Sequence, residues 1–142
     1  MLRGEMDKYM NDDMYFDMGP VKLYDHRVGL YTLAGVNDGA KANVVSEPGG
    51  LVYGMLYNVD GYSGTFAAMD SKEGVHRGLY SRVGVYVVDG EDQIFEAFTY
   101  QMNKSAIVGP GSPTPEYADK IIKGAGLLPL AYQARLRMIL KR

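Results

Sequence analysis

Cysteine is absent from the 142 residues, and histidine occurs only twice. Without thiols there can be no disulfide framework, no cysteine nucleophile, no iron–sulfur cluster and no cysteine-based zinc site. His26 and His76 stand far apart in the chain, with no HExxH spacing and no third ligand in pattern, so no metal is expected. An excess of one charge is missing too: fifteen Lys and Arg meet seventeen Asp and Glu, for a net charge of −2. Phosphate backbones are held by clustered positive charge, so no nucleic-acid partner is expected. Nor does any stretch approach the ~20 apolar residues that span a bilayer, and the first residues lack a charged-then-apolar secretion pattern. The expectation is a soluble cytoplasmic protein with no membrane partner.

Several catalytic signatures are missing as well. No GxSxG elbow precedes a helical pattern, which removes the local mark of a serine hydrolase. The loop GPGSPTP at 109–115 is no phosphate cradle, because it has no lysine and its prolines remove backbone donors. Any chemistry should therefore rest on carboxylates, tyrosines and backbone amides.

What the chain does have is apolar content of 46%, charged content of 23% and abundant glycine, 18 residues, at the ends of apolar runs. Size and composition suit one globular domain over residues 1–142. Residues 1–19 are acidic and methionine-rich and read as a weak helical turn followed by loop. The apolar and aromatic runs 27–34, 40–46 and 51–59 read as strands. Asn37-Asp38-Gly39 and Pro48-Gly49-Gly50 separate them as turns.

A short helix is expected within 62–74, capped by Gly74. Strands follow at 80–88 and 93–101, joined by Asp89-Gly90-Glu91-Asp92. In the first of these, Tyr80, Arg82, Gly84 and Tyr86 share one face and Val83, Val85 and Val87 the other. After the loop at 109–115 the period changes. Tyr117, Ile121, Ile122 and Ala125 mark an amphipathic helix, Leu128-Pro129 breaks it, and Tyr132, Leu136, Ile139 and Leu140 mark another. Strands first and helices last define an α+β class with a curved or barrel-like sheet.

The segment MDSKEGVHRGLYSR, 69–82, carries most of the chemistry. Gly74 lets the chain turn sharply beside Glu73, which would aim this carboxylate into a sheet cavity lined by Tyr80 and Tyr100. A carboxylate among aromatic rings loses hydration and becomes a proton shuttle near neutral pH. The other reading is a solvated glutamate at a helix end. His76 reads as an exposed loop histidine.

The run VYGMLYNV, then MDSKEGVHRGLYSRVGVYV, then EAFTYQM, then SPTPEYADKIIKGAGLLPLAYQARL resembles the gamma-glutamyl cyclotransferase family over most of the chain, from about Gly19 to Leu136. The resemblance implies a mixed, barrel-like sheet with peripheral helices. It also implies a reaction on a small γ-glutamyl substrate: the α-amino nitrogen attacks the γ-carbonyl, releasing 5-oxoproline and a free amine. No cofactor or metal is required, because both reacting groups belong to one molecule. Glu73 matches the family's essential glutamate. Gly74, Tyr80, Tyr100 and Tyr117 are assigned to the substrate cavity, with core packing as the other reading of the tyrosines.

The family's Y-G-S-N-L/M stretch after the first strand has no counterpart here. MLRGEM at 1–6 looks like the part that follows it, so the first strand and its loop are expected to be missing. The exposed sheet edge that results would favour a homo-oligomer. The competing functional class is a non-catalytic member that binds a small amine-containing ligand or a protein partner.

Overall fold

A computed structural model describes residues 15–59 and 65–142. The β-branched and aromatic runs pair as strands, but in fewer and longer pieces than their turn residues suggest. β1, Tyr15–Leu33, and β2, Lys41–Val59, form one antiparallel ribbon joined through the Asn37-Asp38-Gly39 turn. Residues 15–19 are therefore strand rather than helical turn or loop, because Tyr15, Phe16, Asp17 and Gly19 find partners at Val59, Asn58, Tyr57 and Leu56. The rest of the expected helical turn, and MLRGEM with the expectation built on it, lie outside the described residues.

The Pro48-Gly49-Gly50 segment is a second correction, since it does not end a strand. Tyr24 pairs with Leu51 and His26 with Ser46, so residues 47–50 bulge out opposite Asp25 while both arms of β2 stay on β1. Gly49 and Asp25 absorb the excursion at φ 80° and 59°, and the Gly49 N–H donates to Asp25 Oδ1 at 3.0 Å. A Cβ on Gly50 would collide with the His26 carbonyl.

Next come α1, Thr65–Lys72, and the hairpin of β3, Tyr80–Asp89, with β4, Ile94–Met102. β5, Ile107–Pro110, then pairs with the end of β1, so Gly109 and Pro110, the first two residues of the expected loop, are strand. Thr114 caps α2, Pro115–Gly124, by accepting from the Tyr117 N–H at 3.2 Å, and Pro115 sits where its missing N–H costs nothing. Pro129 separates α2 from α3, Leu130–Leu140, as expected.

The ladders among the described residues are antiparallel, in the order β2-β1-β3-β4 with β5 beside β1. Laid flat, β2 and β4 would stand roughly 14 Å apart at the usual strand spacing. Yet Asn43 on β2 accepts from the Met102 N–H on β4 at 2.9 Å. The sheet is thus curled until its two ends meet, and among the described residues side chains, not a backbone ladder, bridge them.

Three apolar clusters fill the fold. Ala118, Ala125, Leu128, Tyr132, Leu136 and Leu140 pack the helices onto Leu30, Tyr53 and Met55 of the ribbon. Val21, Leu23, Val52 and Val87 form a second cluster between strands. Leu33, Leu79, Tyr80, Met102 and Ala106 form the third, at the end where the sheet curls.

Candidate functional site

The alternation of β3 and β4 decides which residues can meet at that end. Tyr80 faces Met102 and Arg82 faces Tyr100 across the hairpin, so these four share one face of the sheet. Farther along, the same face is open: Tyr86 and Phe98 are exposed. Tyr80, at its near end, is buried in a cluster with Leu33, Leu79, Met102 and Ala106.

That segment turns on Gly74, which has φ 68°. A side chain there would be strained, and its Cβ would stand 2.8 Å from Leu79 Cδ1. The Glu73 N–H donates to Met69 O at 3.0 Å and the Leu79 N–H to Gly74 O at 3.1 Å, fixing the chain on both sides of the carboxylate. The Glu73 side chain is 22% exposed, with Lys72 Nζ 3.9 Å from its Oε1. It is a half-buried group, not a solvated helix end.

Two tyrosines hold one backbone residue between them. Tyr80 Oη donates to Ala42 O at 3.0 Å, and the Ala42 N–H donates to Tyr117 Oη at 2.9 Å. The first strand-edge peptide of β2 is thereby satisfied by side chains from β3 and α2. Lys41 Nζ lies 4.6 Å from the centre of the Tyr117 ring. Tyr100 turns instead to α1, donating to Asp70 Oδ1 at 2.6 Å, and Arg82 Nε meets the same oxygen at 3.1 Å.

Electrostatics tie these groups to Glu73. Burial pushes the Tyr80 hydroxyl well above the usual tyrosine range, and the neighbouring Tyr117 and Glu73 push it further. Tyr100 is raised by burial and by its bond to Asp70, with Arg82 pulling the other way and Glu73 adding to the rise. For Tyr117 burial again dominates; the bond from Ala42 opposes it and the Glu73 charge reinforces it. The Glu73 charge therefore reaches three tyrosine hydroxyls that come from β3, β4 and α2. All three remain protonated across the neutral range.

Glu73, Gly74, Tyr80, Tyr100 and Tyr117 thus lie together at the curled end of the sheet. His76 is exposed in the 3-10 turn Val75–Arg77, away from this chemistry. Asp70, Arg82 and Asn43 belong to the same corner and were not singled out from sequence. Two signals pointed to the first pair: Asp70 stands three residues before Glu73, and Arg82 stands two after Tyr80 on the same strand face. Asn43 gave no such signal. Two clefts of about 440 and 430 Å³ lie elsewhere, one between the ribbon and residues 127–130, the other where β1 and β3 part. Among the described residues no group of three or more His, Asp or Glu is placed to hold a metal.

A curled sheet with peripheral helices defines an α+β protein, and the polar corner around the half-buried Glu73 is its candidate site. The chain belongs to the AIG2-like family, which matches residues 51–136. No curated protein matches the sequence significantly. Among solved structures, a gamma-glutamyl cyclotransferase superposes with a TM-score of 0.84 at 23% identity, covering 96% of this chain and 80% of that one. The uncharacterized protein loc79017 from Homo sapiens gives 0.80 at 23% identity, over 94% of this chain and 79% of its own. YkqA from Bacillus subtilis gives 0.79 at 20% identity, over 98% of this chain and 48% of the longer protein. The fold is that of gamma-glutamyl cyclotransferases. Among the described residues no helix is long and apolar enough to cross a membrane.

Proposed function

We propose that this protein is a gamma-glutamyl cyclotransferase-like enzyme with Glu73 as its proton carrier. The observation that carries the reading is the half-buried Glu73 carboxylate, 22% exposed, set beside Gly74 in the corner where Tyr80, Tyr100 and Tyr117 feel its charge. Glu73 takes a proton from the substrate's α-ammonium, and the freed nitrogen attacks the γ-carbonyl carbon. The new C–N bond closes a five-membered ring and the old one breaks. The protonated Glu73 delivers its proton to the departing nitrogen, then takes the second proton from the ring nitrogen and passes it to the released amine. Both protons lost by the α-nitrogen end on the amine product, so the step balances without metal or cofactor. Holding the chain folded supplies much of the rate, because nucleophile and electrophile are already joined.

One observation favours the competing, non-catalytic reading. The hydroxyl protons of Tyr80 and Tyr100 are already given to Ala42 O and Asp70 Oδ1, which leaves the developing oxyanion to other donors. A panel of γ-glutamyl dipeptides and γ-glutamyl amines, assayed for 5-oxoproline, separates the two. Release from any member supports the enzyme. Saturable binding by calorimetry with no 5-oxoproline after prolonged incubation supports the binding protein.

A further inference from the structure

The α1 helix is badly placed to hold itself down. It has eight residues, and none of its described side chains is buried. Isolated helices of this length do not persist in water, and their stability normally comes from an apolar face packed on the rest of the fold. Among its described side chains, Asp70 makes the polar attachment to the sheet. Its side chain is 13% exposed, and its Oδ1 accepts from Tyr100 on β4 and from Arg82 on β3. One carboxylate oxygen therefore ties the end of α1 to both strands of the hairpin, through charge-assisted bonds that are stronger than neutral ones.

Glu73 hangs between this tie and a second, apolar one. Three residues after Asp70 it lies on the same side of the helical turn, with its N–H on Met69 O. Immediately after it, buried Gly74 is locked against Leu79. The geometry points to Asp70 as a positioning residue: clamped by Tyr100 and Arg82, it sets where the Glu73 carboxylate sits. This rests on the reading of Glu73 as the proton carrier, and it turns Tyr100 from a substrate contact into part of the clamp. The suppressed ionisation of Tyr100 fits, since a donor to Asp70 must keep its proton.

The test uses Asp70→Asn and Tyr100→Phe in the full chain, with amide hydrogen exchange as a readout that does not need turnover. The exchange of the Glu73 and Gly74 amides should rise about 10-fold or more in both variants, because local opening follows the bonds that close it. Amides of α2 and α3 should change less than about 2-fold, as expected of a separate cooperative unit. If 5-oxoproline release is observed, kcat should fall roughly 10- to 100-fold with KM nearly unchanged, the mark of a lost alignment. In a Glu73→Gln background, Asp70→Asn should then add no further loss. Unchanged exchange at 73–74 overturns the clamp, and so does a rise spread over the whole chain, which would mean a merely structural role. Reduced turnover with unchanged exchange also overturns it, placing Asp70 on the substrate instead. Absence of turnover in the unaltered protein defeats the reading of Glu73, whereas the exchange data still decide the clamp.

Discussion

The two ends of this molecule are held by different forces. At the helical end, α2 and α3 bury Ala118, Leu128, Tyr132, Leu136 and Leu140 against the ribbon, with the Tyr53 and Tyr132 rings 5.1 Å apart. That contact is broad and non-directional, so its strength scales with area removed from water. At the Glu73 corner the elements are joined by a few directional bonds: Asn43 to Met102, Tyr80 and Tyr117 to Ala42, and Tyr100 and Arg82 to Asp70. A hydrogen bond depends on direction as well as distance, and between buried groups it leaves a costly orphan when broken.

Substitutions that separate stability from aim sharpen this contrast. Leu136→Ala, in the middle of the helical cluster, should cost about 2–5 kcal/mol by denaturant unfolding. Turnover per folded molecule should stay close to that of the unaltered protein. Asn43→Ala should cost less, about 1–3 kcal/mol for the Met102 N–H left unpaired, yet it should damage turnover more, because it releases the bridge between β2 and β4. If Leu136→Ala proves the more damaging to turnover per folded molecule, the division of labour is wrong.

Alkaline pH provides a third comparison. Tyr80, Tyr100 and Tyr117 have folded-state pKa values raised above that of the unfolded chain. Their neutral forms therefore stabilise the fold fully below the ordinary tyrosine pKa near 10. Above it the unfolded chain ionises first, and stability declines as pH rises toward the folded-state values. Denaturant midpoints from pH 8 to 11.5 should be flat, then fall, and Tyr80→Phe should make the fall shallower. The smallest effect belongs to the surface. Arg142 pairs with Asp119 at 2.8 Å, but Asp119 is 60% exposed, so Arg142→Ala should cost at most ~1 kcal/mol and leave turnover untouched.

Periodicity made the helical end legible. The spacing of Tyr117, Ile121, Ile122 and Ala125, the break at Pro129 and the stripe Tyr132–Leu136–Leu140 all appear in the structure. The hairpin and its alternation were legible for the same reason, with Val83, Val85 and Val87 turned away from Arg82, Gly84 and Tyr86. Pro48-Gly49-Gly50 misled because local turn chemistry cannot tell a reversal from a bulge whose arms share one partner strand. β5 was hidden in a loop-like composition, since its four residues owe their strand form to the waiting edge of β1. At the site, Glu73, Gly74, Tyr80, Tyr100 and Tyr117 came from spacing and family resemblance. Asn43 and the Asp70 clamp depend on which strands the curl brings together, and long-range closure leaves no local trace.

The proposed proton transfer by the Glu73 carboxylate can be tested directly. The direct measurement is 5-oxoproline release from a γ-glutamyl dipeptide by the unaltered protein and by Glu73→Gln, each shown to be folded by circular dichroism. Loss of general acid–base catalysis is typically worth about 10²–10⁴-fold, so the variant should retain at most about one per cent of the rate while keeping the same fold. A folded Glu73→Gln protein that releases 5-oxoproline at an undiminished rate would contradict the account.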